Sequence, residues 1–250
     1  MSFALETKGL EKQFGGLKVT RDLSLRIEAG ARHALIGPNG AGKTTVINLL
    51  TGVLKPDAGR ILLEGNDITN LPVHTRVLRG LSRTFQINQL YADLTPLETI
   101  GLVVSERMGR GGDWWRRMGT RDDVNAEIAD NLARFHLLDV MNELTATLPY
   151  GKQRLLEIAV AIATKPRVLL LDEPAAGVPE GERHDILAAV TALPRDVTVL
   201  LIEHDMDLVF SFADRISVLV GGALLVEGPP GEVARDPRVK AVYLGEGADA

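Results

Sequence analysis

The stretch GPNGAGKTT, from Gly37 to Thr45, decides the fold of this chain. It contains a glycine, four further residues and then Gly-Lys-Thr, which is the pattern of a phosphate-binding loop. Its glycines allow successive backbone N–H groups to point inward at phosphate oxygens, and a helix that starts directly after the loop adds the positive end of its dipole. The apolar segment RHALIG precedes the loop and the helical pattern TTVINLLTG follows it, so the sequence context that a phosphate site requires is present.

Each position of this loop has an expected role in nucleotide binding. The Lys43 ammonium reaches the β and γ phosphates, and the Thr44 hydroxyl ligates Mg²⁺. The other loop residues that we expect to surround the phosphates are Gly37, Asn39, Gly40, Ala41, Gly42 and Thr45.

The segment VLLLDEP, from Val168 to Pro174, supplies the second half of the predicted site. A carboxylate at the end of a buried strand is costly unless a cation or a donor holds it, so we expect Asp172 to face Mg²⁺. Glu173, the next residue, is placed to polarise an attacking water as general base. For this pair alone helix capping is the alternative, and the phosphate loop favours the chemical interpretation.

Composition limits the classes of protein to which this chain can belong. The chain has 250 residues and 45% hydrophobic content, which is enough for one large domain with a buried core. A net charge of -5 argues against binding nucleic acid or an anionic membrane through bulk electrostatics. The absence of cysteine excludes disulfides and thiolate metal sites. We expect an unexported chain, because the sequence has neither a basic-then-apolar leader nor an apolar run of roughly 20 residues.

Hydrophobic periodicity predicts an α/β fold in three parts. Residues 3–31 alternate as short strands of an antiparallel β region. The nearly continuous apolar segments RVLLLDEP and DVTVLLIEHD predict parallel strands that are covered on both faces, with a helix over about 181–193 between them. Residues 88–148 are helical in pattern, and Gly221 and Gly222 predict a hairpin turn. One helical stripe of the middle part consists of Val124, Ile128, Leu132 and Phe135.

Three further residues each have a functional and a structural interpretation. Gln86, in SRTFQINQL, is either a contact of Mg²⁺ and the water or a solvated loop residue. His204, at the end of the strand LLIEH, either hydrogen-bonds the γ phosphate or is structural. Phe14 either stacks on an adenine ring or packs in a core. The residues alone leave these alternatives open.

Together these segments resemble the ATP-binding cassette ATPases of ABC transporters, and most closely the ATPase subunits of branched-chain amino acid importers. The general resemblance rests on GPNGAGKTT, Gln86, LLLDEP and His204, in this order. The closer resemblance rests on QFGGLKV, SRTFQ, YGKQRLLEIA, DEPAAGV, LLIEHDMDLV and VYLGE. It implies that ATP and Mg²⁺ are the ligands and that Gln86 contacts Mg²⁺. It also implies that His204 is a catalytic histidine at the γ phosphate and that Phe14 and Val19 bind ATP, Phe14 by stacking on adenine.

The resemblance implies a P-loop core with a mixed, mostly parallel sheet, an N-terminal antiparallel β subdomain and an inserted α-helical subdomain. It predicts one cassette over residues 1–250. Within it, 1–87 and 155–250 form the nucleotide-binding core, and 88–154 form the helical subdomain that carries the signature motif and contacts membrane subunits.

The resemblance also implies a head-to-tail dimer in which the signature segment of one protomer closes over the ATP of the other. Here LPYGK aligns with the Leu-Ser-Gly-Gly-Gln of the family. Pro149 removes a hydroxyl and a backbone donor, and Lys152 adds a positive charge. Tyr150, Gly151 and Lys152 are the residues expected to contact the partner's ATP. The family also has a D-loop, which comes after LLLDEP in the sequence. In it, Pro179 stands where the family often has Asp.

The implied function is the motor subunit of an importer for branched-chain or other amino acids, at the cytoplasmic face of the inner membrane. Its expected partners are a second copy or a paralogous ATPase, transmembrane permease subunits and, indirectly, a substrate-binding protein, with no nucleic acid. The alternatives are a cassette ATPase that acts on nucleic acid or the ribosome, an export-type ATPase for lipid or lipopolysaccharide, and a nucleotide-gated scaffold without useful turnover. In GRGGDWWRRMG, Trp114 and Trp115 either contact a membrane subunit or the bilayer edge, or fold onto their own helical subdomain.

Overall fold

The computed structural model of this chain describes residues 2–84, 90–109 and 122–245. Gln86, Trp114 and Trp115 lie outside the described residues. The chain forms two compact units, which we call the core unit and the helical unit. The core unit comprises Met1–Arg83, Arg167–Glu173 and Pro194–Ala250, and the helical unit comprises Thr84–Pro166 and Pro174–Leu193.

The described strands and helices follow each other in chain order. The strands are β1 (Phe3–Phe14), β2 (Leu17–Leu23), β3 (Arg26–Glu28), β4 (Arg32–Ile36), β5 (Ala58–Leu63), β6 (Asn66–Asp67), β7 (Leu81–Arg83), β8 (Val168–Asp172), β9 (Thr198–Ile202), β10 (Arg215–Val220) and β11 (Ala223–Gly228). The helices are α1 (Lys43–Thr51), α2 (Val73–Leu78), α3 (Pro96–Arg107), α4 (Asp122–Arg134), α5 (Tyr150–Ala163), α6 (Glu180–Thr191), α7 (Met206–Phe212), α8 (Pro230–Val233) and α9 (Pro237–Gly245), with short 3-10 turns at Leu138–Val140 and Thr145–Thr147.

The core unit holds two sheets. The first is antiparallel, in the order β2-β1-β5-β6 with β3 also paired to β1, and it confirms the β region predicted for the N-terminal part. The second has the order β11-β10-β4-β9-β8-β7. Its pairings from β10 to β7 are parallel, and β11 is antiparallel to β10. The mixed, mostly parallel sheet confirms the predicted α/β fold class.

The central strands of the second sheet position the site. Every residue of β4, β8 and β9 is buried, as apolar and β-branched strands covered on both faces should be. Because these strands are parallel, the loops that follow them leave the sheet at the same edge. The loops after β4, β8 and β9 carry the phosphate-loop residues, Glu173 and His204, respectively.

The helical unit confirms the helical pattern predicted for the middle of the chain. In α4 the predicted stripe is buried at Val124, Ile128 and Leu132, and Phe135 is buried directly after the helix ends. Helix α3 begins with a capping box, in which the Thr95 side chain accepts a hydrogen bond from the backbone N–H of Glu98, and the Glu98 carboxylate accepts one from the backbone N–H of Thr95. In the described parts of the chain, every helix is too short or too polar to cross a membrane.

Candidate nucleotide site

The phosphate loop is built where β4 ends and α1 begins. A Cβ atom at Gly37 would collide with the carbonyl oxygen of Leu219 in the neighbouring strand β10, so only glycine fits there. Gly42 has a φ of +100°, and a Cβ atom on it would lie 2.8 Å from the Val19 carbonyl oxygen. These two glycines allow the loop to turn tightly from the strand into the helix.

Lys43 is the first residue of α1, and its side chain folds back across the loop. Its ammonium donates hydrogen bonds to the carbonyl oxygens of Gly37 at 2.5 Å and Pro38 at 3.0 Å. The positive charge is therefore held over the loop, where an anionic phosphate is expected to bind. Thr44, the next residue, is exposed, and Asn39 and Gly40 are exposed at the tip of the loop.

Asp172 ends β8 as a buried carboxylate that is 2% exposed. The Arg83 guanidinium donates to Asp172 Oδ2 at 2.7 Å and, through its other terminal nitrogen, to Asn48 Oδ1 of α1 at 2.8 Å. Burial raises the pKa of the Asp172 carboxyl, while the hydrogen bond and the positive charge of Arg83 oppose that rise. The sequence predicted that a cation or donor must hold this carboxylate, but it did not identify Arg83 as the residue that does so.

Glu173 and His204 are brought together by the adjacent strands β8 and β9. His204 Nδ1 lies 3.9 Å from Glu173 Oε1 and 3.8 Å from Glu203 Oε2. The His204 side chain is 65% exposed, whereas that of Glu203 is buried. Glu173 has a φ of +48°, and its backbone N–H donates to the Ile202 carbonyl at 2.9 Å. A non-glycine residue in this region is strained by about 1–3 kcal/mol, and such strain is concentrated at functional sites.

Phe14 lies at the end of β1 and does not pack in the core. The residue is 47% exposed, and the Lys12 ammonium lies 5.6 Å from the centroid of its ring. A solvent-accessible aromatic face is the feature that stacking on an adenine requires. Val19, in β2, is half-buried, and its carbonyl oxygen faces Gly42 of the phosphate loop.

The signature segment lies at the start of α5 in the helical unit. The Gly151 backbone N–H donates to Glu182 Oε2 of α6 at 2.7 Å. The Lys152 ammonium donates to both carboxylate oxygens of Asp139 at 3.0 Å and to the His136 carbonyl at 2.5 Å. The charge of Lys152 is thus used inside the same chain. Sequence reasoning missed Glu182, for which an acidic residue in the first turn of α6 was the one available signal.

Comparisons with known protein families agree with this arrangement of site residues. A sequence model of the ABC transporter family matches residues 20–176. A second model, of the branched-chain amino acid ATP-binding cassette transporter, matches residues 223–249.

Two curated relatives match almost the whole chain. The high-affinity branched-chain amino acid transport ATP-binding protein BraF of Pseudomonas aeruginosa is 41% identical over 249 residues, which cover 97% of this chain and 98% of the relative. The corresponding protein LivG of Escherichia coli strain K12 is 39% identical over 250 residues, covering 97% of this chain and 98% of LivG.

Solved structures give the same result. A nucleotide-free ATP-binding cassette from an ABC transporter has a TM-score of 0.82 at 31% identity. The match covers 97% of this chain and 99% of that cassette. The ADP conformation of an ATP-binding cassette has a TM-score of 0.81 at 32% identity, with coverages of 98% and 99%. These similarities extend over the phosphate loop, the acidic pair and the helical unit alike. The chain therefore belongs to the ABC transporter family, as one of its ATP-binding cassettes.

Proposed function

We propose that this chain is the ATP-hydrolysing motor subunit of an ABC importer for branched-chain amino acids. The observation that carries the proposal is its 41% identity to BraF over 97% of the chain. The phosphate loop, the acidic pair and the nearby histidine supply the groups that ATP hydrolysis needs.

Hydrolysis requires that a water attack the γ phosphorus while its proton is removed. Glu173 accepts that proton, because its carboxylate follows β8 directly and lies near His204. Lys43 stabilises the negative charge on the β and γ phosphates, and His204 donates a hydrogen bond to the γ phosphate. The bond from the γ phosphorus to the β–γ bridging oxygen breaks, so that ADP and inorganic phosphate leave.

Mg²⁺ fits the chemistry of this site. Its preferred ligands are oxygens, and the Thr44 hydroxyl and the Asp172 carboxylate are the oxygen donors that would hold it, together with Gln86. The Arg83 guanidinium holds Asp172 Oδ2, so Mg²⁺ would share this carboxylate with Arg83. When bound, Mg²⁺ neutralises charge on the phosphate oxygens.

The cassette acts as one of a pair. Two cassettes, either two copies of this chain or this chain and a paralogue, close head to tail over ATP. Transmembrane permease subunits dock near Gln86 and the helical subdomain 88–154, at the cytoplasmic face of the inner membrane, and a substrate-binding protein delivers the amino acid to them. Closure and hydrolysis drive the permeases between an inward-facing and an outward-facing state. The similarity to branched-chain amino acid transport proteins favours this function over action on nucleic acid or ribosomes and over export of lipid.

Transport by the reconstituted complex tests this proposal. Proteoliposomes that contain the cassette, its permeases and its binding protein should take up leucine, isoleucine or valine only with ATP. ATP turnover should rise when the binding protein is loaded with one of these amino acids, and should not respond to added DNA or RNA. Stimulation by nucleic acid without amino acid uptake would instead support the nucleic-acid alternative.

A further inference from the structure

The backbone N–H of Gly151 already has an anionic partner within its own chain. The Glu182 carboxylate accepts this hydrogen bond at 2.7 Å, and it lies so close to Gly151 that a Cβ atom there would collide with it. Gly151 is the second residue of α5, so its N–H points out of the first turn, where the helix dipole favours an anion. The glycine and the carboxylate together form a close contact between the starts of two helices.

Few side-chain donors are available at this helix start. Pro149, which precedes the helix, has neither a backbone N–H nor a hydroxyl. The Lys152 ammonium is directed to Asp139 and the His136 carbonyl. The first turn of α5 still offers backbone N–H groups to a phosphate oxygen, and Glu182 occupies the one on Gly151.

A carboxylate and a phosphate oxygen are alternative acceptors for one N–H, and two negative charges that approach the same donor repel each other. We propose that Glu182 competes with the γ phosphate of the partner's ATP for the Gly151 N–H and thereby sets the ATP concentration at which two cassettes close. This inference rests on the proposed function, in which the signature segment of one protomer contacts the ATP of the other. Glu182 is a positioning residue at the nucleotide site and takes no part in the chemistry.

The competing explanation is that Glu182 only caps α5. A carboxylate at a helix N-terminus stabilises that helix, so its removal would then loosen the signature segment and weaken closure. Competition makes the opposite prediction for closure, namely that removal of the carboxylate strengthens it. The direction of the change therefore separates the two roles.

The test measures the ATP concentration that gives half-maximal dimer closure. It uses the full-length chain with Glu173→Gln to slow hydrolysis, and it follows closure by light scattering. Glu182→Ala should lower that concentration about tenfold, because a charge-assisted hydrogen bond no longer has to be broken. Glu182→Gln, which keeps an acceptor for the Gly151 N–H but loses the charge, should shift it in the same direction by less.

Glu180→Gln is the matched control, because it removes an exposed carboxylate from the same turn of α6, and it should close as the parent chain does. An unchanged or higher ATP requirement in both Glu182 variants would overturn the competition. If the parent chain bound ATP but never closed, the head-to-tail dimer of the proposed function would itself fail, and the competition with it. Closure of the parent chain without a shift in the variants would overturn the competition alone.

Discussion

Single residues of the site depend on partners that lie far away in the sequence. Arg83 reaches Asp172 across 89 positions, and Glu182 reaches Gly151 across 31 positions. Asp172 and Gly151 could be proposed as site residues from sequence because their motifs are local. Arg83 and Glu182 could not, because their contacts depend on which strands and helices become neighbours. The sequence thus indicated that Asp172 needs a positive partner without indicating which residue supplies it.

Removal of Arg83 should destabilise the core unit. The ion pair with Asp172 is buried, with 11% and 1% of the two side chains exposed, so Arg83→Ala leaves an uncompensated buried charge. We expect the free energy of unfolding to fall by roughly 3 kcal/mol, as measured by urea denaturation. Arg79→Ala, which removes an exposed cation four residues earlier, is the control and should change it by less than about 0.5 kcal/mol. Equal stabilities of the two variants would contradict the role of Arg83.

Replacement of Lys152 should have little effect on closure. Its ammonium is held by Asp139 and the His136 carbonyl, and the Asp139 side chain is 65% exposed, so a contribution of less than 1 kcal/mol is typical of such a pair. We expect Lys152→Gln to change the ATP concentration for half-maximal closure by less than about threefold. A tenfold increase would instead show that the positive charge is used on phosphate.

At the scale of elements, periodicity predicted the type and order of the segments well. The hairpin at Gly221 and Gly222 and the helix that ends at Gly52 are both confirmed. The boundaries were less accurate, since α6 runs over Glu180–Thr191 where 181–193 was expected. Strand order in the second sheet could not be read from periodicity, because any of its apolar strands can pair with any other until the helices are packed.

Three strands of that sheet share a polar network, with His33 and Ser217 buried, that makes stability depend on pH. His33 Nε2 of β4 lies 2.8 Å from Ser217 Oγ of β10, and Ser217 Oγ donates to Glu227 Oε2 of β11 at 3.0 Å. Arg215 also pairs with Glu227, at 2.9 Å. Burial lowers the pKa of His33 to about 4, although the negative charge of Glu227 acts to raise it.

The direction of this pH dependence follows from the fact that His33 is neutral in the folded chain. Below about pH 6.5 the unfolded chain binds a proton that the folded chain does not, so stability falls as pH decreases from about 6.5 to 4. His33→Gln should remove about 3 kcal/mol of this loss, measured by urea denaturation across that pH range. His184→Gln, at an exposed histidine of α6, should retain the wild-type pH dependence. A wild-type pH dependence in His33→Gln would refute the assignment.

At the scale of the whole molecule, the proposed function depends on contacts that one chain cannot make alone. The phosphate loop and the acidic pair are in the core unit, whereas the signature segment belongs to the helical unit and is expected to serve the partner's ATP. Sequence motifs identified the cassette because these local patterns carry the chemistry. In the proposed complex the binding protein and the permeases choose the amino acid that is transported, so the support for branched-chain amino acids comes from the relatives.

The most direct test of the motor function is ATP-driven leucine uptake by the reconstituted complex with and without Glu173→Gln. The substitution removes the carboxylate that we propose as the base for the attacking water. We predict that phosphate release and uptake both fall at least about 100-fold while ATP binding is retained, and that Glu180→Gln behaves as wild type. Phosphate release and uptake at the wild-type rate in Glu173→Gln would contradict the assignment of Glu173 as the base of an ATP-driven importer.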